Sequence, residues 1–322
     1  MAKAVAKSAL ATPAPPRFGK VRESTYAYAY IFPAFFFIAF ATLIGVAWTV
    51  WISLTNYSGL SVEAFNHPSF VGLRNYRDVL FDVELDTFLA VLRWTFAFAF
   101  LSMAISFAVG LALALLLNDR NIRERSVYRT ILIIPWALPG AVAVLSWNGI
   151  LNTDFGYLNS LLEQIGLPRV GWLTDPFWAR SAVVGVNVWF SFPFMMTACL
   201  GALQAVPDEL HEAARIDGAG PVARFRYVTS PVLRSVVAPL LIGNFAFQFG
   251  NFTFVYLLTA GRPASETSEA GATDTLLTYG YKLTLEQSRY AVAAAYGVIL
   301  FLIIGVLSLI AMKKSGAFAE AT

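Results

Sequence analysis

The sequence predicts an all-α integral membrane protein, because its apolar residues are abundant and gathered into long blocks. Hydrophobic residues make up 57% of the 322 residues and charged residues 13%, whereas a soluble domain carries about a quarter charged residues. The mean hydropathy is +0.62. Helices are favoured over a transmembrane barrel, because the blocks show no alternation of period two and lipid cannot hydrogen-bond an open peptide group.

Six blocks are long enough to cross a bilayer as helices. A helix rises 1.5 Å per residue, so roughly 20 apolar residues cross a hydrocarbon core of about 30 Å. A transmembrane domain is therefore expected over residues 27–312. The blocks are 27–52, 88–117, 127–151, 177–203, 231–259 and 290–312.

The distribution of charge predicts an N-in/C-in orientation. With the N-terminus in the cytoplasm, the inner segments hold 15 of the 23 basic residues, and the outer segments hold 12 of the 20 acidic residues. An excess of Lys and Arg on the cytoplasmic side is the rule for multi-pass proteins. We therefore expect a multi-pass protein of the cell's inner (plasma) membrane, surrounded by the lipid bilayer.

The segments outside the six blocks are short. Residues 1–26 include an Ala/Pro stretch at 11–16 and are expected to form a disordered cytoplasmic segment, not a signal peptide. Residues 313–322 are expected to form a cytoplasmic tail. In the outer loop 152–176, residues 157–162 have helical spacing, which predicts a short interfacial helix. The outer loop 260–289 is polar and rich in Gly, Ser and Thr.

The residue pattern argues against catalysis by this chain. No G-x-x-x-x-G-K-[ST] phosphate cradle occurs, so the chain is not expected to bind ATP itself. His67 and His211 fall on opposite sides of the membrane and cannot share a metal ion. The charges nearest the spans lie at helix ends, whereas an ion-coupled carrier needs them inside. We therefore expect a non-catalytic chain that depends on another subunit for energy, with a self-contained channel or secondary carrier as a remote alternative.

The inner loop of residues 204–234 is too well patterned to be a plain connection. Asp208 can cap a helix with acidic residues in its first turn, where the helix dipole favours negative charge. Gly218 is a natural C-terminal stop, and Pro221 can begin the next helix. A helix, a sharp corner and a second helix are predicted; from pattern alone, a solvated loop is an equal alternative.

This loop resembles the EAA loop of permease subunits in ATP-binding-cassette (ABC) importers. The family pattern E-A-A-x-x-x-G-x(9)-I-x-L-P is matched by residues 212–231, with Val228 in place of Ile and Ser230 in place of Leu. The resemblance implies a type I ABC importer permease fold, in which this loop (about 207–231) is the coupling element seated in a cleft of the ATPase. It assigns that contact to Glu212, Ala213, Ala214, Asp217 and Gly218.

Over residues 26–315 the chain is similar to MalF-type permeases of maltose/maltodextrin importers. The similarity is carried by residues 187–196, 244–252 and 257–263. It implies that positions in the first two of these stretches line a transmembrane sugar site. The residues then expected to bind substrate are Asn187, Phe190, Ser191, Phe194, Asn244, Phe247, Gln248 and Asn251.

The residue types suit a neutral sugar. Amides can hydrogen-bond sugar hydroxyls, and aromatic faces stack on pyranose rings. The alternative is that the amides only bond neighbouring helices and the aromatic residues are ordinary packing. Four of the eight residues, Asn244, Gln248, Ser191 and Phe194, depart from the maltose-specific pattern. The cargo expected is maltose or maltodextrin, with trehalose as the alternative.

The resemblance also implies a set of partners. These are a MalG-type second permease, a MalK-type ATPase dimer and an extracytoplasmic sugar-binding protein. ATP and Mg²⁺ would be bound by the ATPase subunits, and no cofactor is expected in this chain. No nucleic-acid partner is expected.

Overall fold

The computed structural model describes residues 20–119, 122–265 and 268–315, and within these ranges the chain forms fourteen α-helices. A single π-helical turn, Phe225–Thr229, joins two of them. The helices are α1 (Lys20–Ser53), α2 (Val62–Asn66), α3 (Arg74–Phe81), α4 (Leu85–Leu117), α5 (Arg125–Ala137), α6 (Gly140–Ile150), α7 (Tyr157–Gln164), α8 (Pro176–Gln204), α9 (Asp208–Ile216), α10 (Pro221–Arg224), α11 (Ser230–Phe249), α12 (Thr253–Thr259), α13 (Leu276–Leu285) and α14 (Tyr290–Ser315).

The six apolar blocks correspond to five continuous helical stretches and one bent pair. In the described part of the chain, α1, α4, α8, α14 and the stretch Pro221–Phe249 are each long and apolar enough to cross a membrane. Helices α5 and α6 make a sixth span if they count as one, although they meet at 90° around Leu138 and Pro139. The block 127–151 is therefore broken, because Pro139 cannot continue the helix and biases the residue before it towards extended backbone.

The block 231–259 is also broken, contrary to the prediction of one continuous span. Helix α11 ends at Phe249, and α12 begins at Thr253 after an irregular stretch. Gly250 occupies the C-cap position, and glycine is the residue that most weakens a continuing helix apart from proline. The chain therefore turns within the apolar block instead of crossing straight through it.

The ends of the first and last spans differ from the predicted bounds. Helix α1 begins at Lys20, so residues 20–26 are helical and not disordered as predicted. Three of these seven residues, Lys20, Arg22 and Glu23, are strong helix formers, and the stretch lies beyond the proline-rich segment. The rest of the predicted disordered segment, residues 1–19, lies outside the described residues. Helix α14 continues to Ser315, and the remaining predicted tail, residues 316–322, is likewise outside them.

The chain divides into two compact units. The first ends at Trp48 and, in its described part, consists of α1 up to that residue. Along this helix Phe36 stacks between Phe32 and Phe40, with ring centroids 6.0 and 5.8 Å apart. The second unit, Thr49–Thr322, contains every helix from α2 onward.

Helices α4 and α8 form the most extensive helix pair of the second unit. Every fourth residue on one face of α4 is small and buried: Ser102, Ser106, Gly110 and Ala114. A Cβ atom placed on Gly110 would lie 2.6 Å from the backbone nitrogen of Met196. Small residues at fourfold spacing let two helix backbones approach closely in lipid, where dispersion replaces the hydrophobic effect.

Residues 260–289 form a packed region and not the polar loop that the sequence predicts. Helix α13 lies within it and buries Leu276, Tyr279 and Leu283. Thr275 begins this helix with a capping box, and the buried Asp274 accepts a 2.8 Å ion-pair hydrogen bond from Lys282. The polar residues that suggested a loop are therefore caps and internal partners of a helix.

The close approach of α4 and α8 gives a test of the fold. Gly110→Ala is expected to lower the free energy of unfolding by about 1–3 kcal/mol, because the added Cβ meets backbone that cannot rotate away. The matched control is Gly185→Ala on α8, where an added Cβ meets nothing within 4 Å. Thermal unfolding of both variants in one detergent measures the difference. Equal melting temperatures for the two variants would contradict the tight seam.

Candidate functional site

Helix α8 carries one half of the candidate site. It begins at a strong cap, because the Asp175 carboxylate accepts hydrogen bonds from the backbone N–H groups of Phe177 and Trp178, both at 3.0 Å. Pro176 occupies the first helical turn, where its missing N–H costs nothing. Four of the predicted site residues then follow on a single face at i, i+3, i+4 and i+7, namely Asn187, Phe190, Ser191 and Phe194.

Helix α11 and the interruption after it carry the other half. Asn244, Phe247 and Gln248 lie in the last two turns of α11, and Asn251 lies in the irregular stretch before α12. The Asn251 Oδ1 accepts the backbone N–H of Phe254 at 3.3 Å, so it supplies a partner to the first turn of α12. At the interruption, the side-chain amide of Asn251 thus takes the place of the backbone acceptor that a continuous helix would provide.

Three of these amides form one buried network between α8 and α11. Asn187 Nδ2 donates to Gln248 Oε1 at 2.9 Å, and Asn251 Nδ2 donates to Asn187 Oδ1 at 3.2 Å and to Gln248 Oε1 at 3.1 Å. Gln248 Nε2 donates to Ser191 Oγ at 3.3 Å. Asn187 and Gln248 are each 1% exposed and Asn251 is 7% exposed. The network satisfies polar groups that lipid would leave unpaired, and such interhelical bonds contribute about 0.6–2 kcal/mol each.

A cavity of about 470 Å³ opens beside this network, within the usual size range of small-molecule sites. Its wall is mainly aromatic and aliphatic, with a few polar side chains, and no charged residue lines it. Among the described residues, the buried Oδ1 atom of Asn244 has no hydrogen-bond partner. The lining residues are Trp136, Asn187, Phe190, Ser191, Phe194, Pro239, Leu240, Gly243, Asn244, Phe247 and Phe254.

The structure brings the eight predicted residues together but divides them into two layers. Six of them line the cavity, and Gln248 and Asn251 do not. These two lie behind the wall, where they hold Asn187 and Ser191 in place. The prediction that all eight bind substrate stays a prediction, and the geometry gives Gln248 and Asn251 a positioning role in it.

Sequence reasoning missed two aromatic residues of the wall. Trp136 is 49% exposed, and its ring lies 6.0 Å from that of Phe194. Phe254 packs on Phe190 with ring centroids 4.8 Å apart. The available signal was the Pro135–Pro139 interval, because broken spans near the bilayer centre are where transporters place binding sites.

The helix–corner–helix pattern predicted for residues 207–231 is confirmed. Helix α9 ends in a Schellman motif: Gly218 has φ +77° and donates to the Arg215 carbonyl, and Ala219 donates to the Ala214 carbonyl at 2.9 Å. Pro221 begins α10 as predicted. The predicted Asp208 cap was wrong, because Pro207 is the N-cap and Asp208 is the first residue inside the helix.

This 207–231 element is exposed and connects the two helices of the site. Glu212, Ala213, Asp217 and Gly218 are exposed, and Ala214 is half-buried. Five larger apolar side chains are also exposed, which is unusual for a soluble loop and typical of a docking surface. They are Leu210, Ile216, Val222, Phe225 and Tyr227.

Comparisons with known proteins agree on one family. The model of binding-protein-dependent transport system inner membrane components matches residues 106–314. The maltodextrin transport system permease protein MdxF of Bacillus subtilis (strain 168) is 35% identical over 308 residues, covering 92% of this chain and 71% of that protein. The galactooligosaccharides transport system permease protein GanP of the same strain is 34% identical, with the same coverage.

Two further comparisons set the limits of the similarity. The maltose/maltodextrin permease MalF of Escherichia coli (strain K12) is 37% identical over 250 residues, and the chain spans about half, 49%, of that longer protein. A bacterial ABC transporter that imports the acidic polysaccharide alginate superposes with a TM-score of 0.74 at 24% identity, covering 92% of this chain and 96% of that one, and so shows a shared fold. The chain belongs to the family of binding-protein-dependent transport system inner membrane components, the non-catalytic permease subunits of ABC importers.

Proposed function

We propose that this chain forms half of the translocation pathway of an ATP-driven importer for neutral di- or oligosaccharides, of the maltose/maltodextrin class. The observation that carries the proposal is the uncharged cavity between α8 and α11, in which aromatic rings surround a few hydrogen-bonding groups. Rings such as Phe190 and Phe247 can stack on the apolar faces of a pyranose, and the side-chain amide of Asn244, which lines the cavity, can hydrogen-bond a hydroxyl. Two relatives are named as transporters of maltodextrin and of galactooligosaccharides, which are sugars of the same chemical class.

The lining favours a neutral cargo over a charged one. A phosphate or carboxylate group in a low-dielectric cavity needs Arg or Lys to offset its desolvation, and no such residue lines this cavity. Trehalose, also a neutral disaccharide, fits the same reasoning and stays an alternative cargo.

The 207–231 element is the proposed contact with the ATPase. Two residues, 205 and 206, separate it from α8, and its second half, α10 and the π-helical turn, runs directly into α11. A displacement of the element therefore moves both helices that build the site. Asn187 is about 25 Å along α8 from the last residue of that helix, so a small tilt at the element becomes a shift at the cavity. Glu212, Ala213, Ala214, Asp217 and Gly218 would seat in the partner.

The remaining partners would supply what this subunit lacks, namely delivery of the sugar, the other half of the pathway and ATP hydrolysis. The family's description names a binding protein, and a second permease of the MalG type would supply the other half of the pathway. A MalK-type ATPase dimer would bind ATP and Mg²⁺, because this sequence has no phosphate cradle.

Mutations in the cavity wall and in the amide network are expected to have different effects on uptake and on stability. Phe247 is 70% exposed, so Phe247→Ala is expected to reduce sugar uptake about 2- to 10-fold, the equivalent of 0.5–1.5 kcal/mol of ring stacking, with an unchanged melting temperature. Gln248→Ala leaves Asn187 and Asn251 without their shared acceptor, which costs about 1–3 kcal/mol of stability as well as uptake. Uptake of maltose, maltodextrin, trehalose and galactooligosaccharide and thermal unfolding are measured on the same preparations.

The control is Phe301→Ala on α14, an exposed phenylalanine outside the cavity wall, which should change neither quantity. Uptake per assembled complex that is unaffected by Phe247→Ala would place the sugar elsewhere. A melting temperature unaffected by Gln248→Ala would refute the positioning role of the amides.

The coupling corner is tested at its glycine. Gly218→Pro is expected to abolish sugar-stimulated ATP hydrolysis by the reconstituted complex, because proline fixes φ near −65° where the corner needs +77°. Gly220→Ala is the matched control two residues away, since its φ is −67° and an added Cβ meets nothing within 4 Å. Normal stimulation in the Gly218→Pro complex would refute the coupling role. Glu212→Lys should likewise lose stimulation while the subunit still inserts.

The source of energy has its own test. The purified chain, freed of every partner, is expected neither to bind nor to hydrolyse ATP, because nothing in its sequence cradles phosphates. Equilibrium binding of a fluorescent ATP analogue and phosphate release check this, with the complete complex as the positive control. Hydrolysis by the chain alone at the rate of the complex would overturn the division of labour between subunits.

A further inference from the structure

The segment between α6 and α8 is a rigid unit built around one buried amide. Asn159 on α7 is 1% exposed, and its Nδ2 donates to the carbonyls of Thr153 and Val170 at 3.1 and 2.9 Å. Its Oδ1 accepts from Val170 N–H at 3.1 Å and Trp172 Nε1 at 2.9 Å. All four bonds are satisfied, so α7 is held in a fixed orientation on the end of the bundle.

Helix α7 has three distinct faces. Leu158, Leu162 and Asn159 lie on the inner face, partly or fully buried. Glu163 and Ser160 lie on a polar face, where a hydrogen bond from Arg169 lowers the pKa of Glu163 below its usual value. The third face is apolar and exposed: Tyr157 and Leu161, at i and i+4, and the C-cap residue Ile165, at i+8, are 66%, 38% and 71% exposed. Two neighbouring apolar side chains, Phe155 and Leu167, are 75% and 49% exposed.

The position of this face along the bundle is fixed by Trp172. The same indole that bonds Asn159 packs edge-on against Trp178, with ring centroids 5.0 Å apart. Trp178 is in the first turn of the span α8, and the adjacent Phe177 is 68% exposed. Aromatic residues at the end of a span sit at the level of the lipid headgroups. The apolar face of α7 is therefore tied to the depth at which the hydrocarbon meets water.

We propose that α7 is an interfacial anchor whose Tyr157–Leu161–Ile165 face inserts into the headgroup–acyl boundary of the bilayer, at the end of the bundle opposite the 207–231 element. Helix α8 separates the two ends, since it runs from Pro176 beside α7 to Gln204 beside α9. The face lies at the same depth as the exposed aromatic residues at the start of α8. A helix with one packed side, one charged side and one exposed apolar side has the pattern of interfacial helices. The anchor would hold this end of α8 at constant depth while the other end moves.

The neutral apolar face commits the proposal to lipid. The neighbouring charges, Glu163 and Arg169, neutralise each other, so the insertion should not require anionic lipid. A delivery protein that docks and leaves would instead favour a polar, only partly apolar contact.

The test places single fluorescent probes on two faces of α7. Ile165→Cys and Ser160→Cys are made in a Cys199→Ala background, which removes the only native cysteine, labelled with bimane, and the full chain is reconstituted in phosphatidylcholine vesicles. Nitroxide lipid labelled near the headgroup should quench the Ile165 probe strongly, and aqueous iodide should quench it weakly. The Ser160 probe on the polar face should show the reverse. Leu161→Cys provides a second position on the apolar face.

Two results would overturn the anchor. Iodide quenching of the Ile165 and Leu161 probes equal to that of the Ser160 probe, with no quenching by lipid, would show a face in water. Shielding from iodide that appears only when the extracytoplasmic binding protein is added, again without lipid quenching, would make the face a protein docking surface.

Discussion

A buried peptide group in lipid must find its hydrogen-bond partner within the protein, and this constraint shapes both the fold and the site. Most of the chain meets it with continuous helices such as α4 and α8. Residues close to both interruptions line the cavity: Trp136 precedes the break at 138–139, and Phe247 and Phe254 flank the break at 250–252. A broken helix frees polar groups and space together. At the second interruption a side chain supplies a partner that the helix lost, because Asn251 accepts from Phe254 N–H. Farther along, Asn148 on α6 donates to the Leu258 carbonyl near the end of α12 at 2.7 Å.

The second consequence is mechanical. The amide network binds α8 to α11 at the cavity, and the 207–231 element binds the same two helices at their other ends. Helices α8 and α11 are therefore linked to each other at two places, once at the cavity and once at the exposed 207–231 element. Two helices linked in this way move as one rigid body, since a change in the angle between α8 and α11 would break either the amide network or the corner at Gly218. Alternating access by rocking of rigid helices needs this property.

Much of this could be predicted from the sequence, and what could not has identifiable causes. Long spans such as α4 and α8 are visible as apolar runs, and the corner at Gly218 follows from glycine and proline chemistry. Helical periodicity places Asn244, Phe247 and Gln248 on one face of α11. It does not show that the first two line the cavity while Gln248 belongs to the buried amide network, because only tertiary packing decides this. The helix breaks at Pro139 and Gly250 were not predicted, because mean hydropathy is averaged over the interruption. Helix α13 was not predicted, because its capping residues are of types that are common in loops.

The fold alone does not decide the cargo, and the comparison with the alginate importer shows why. That transporter, described as importing an acidic polysaccharide, shares the architecture at a TM-score of 0.74. Specificity must then reside in the cavity wall. A carboxylate-bearing sugar would place charge where the dielectric is low, and its desolvation is offset only by a facing cation. The wall formed here by Trp136, Phe190 and Phe247, with the side-chain amide of Asn244 and no charged side chain, offers stacking and hydrogen bonds but no such offset. The same architecture can therefore serve different sugars, and the wall of this chain has the composition that suits the neutral sugar we propose.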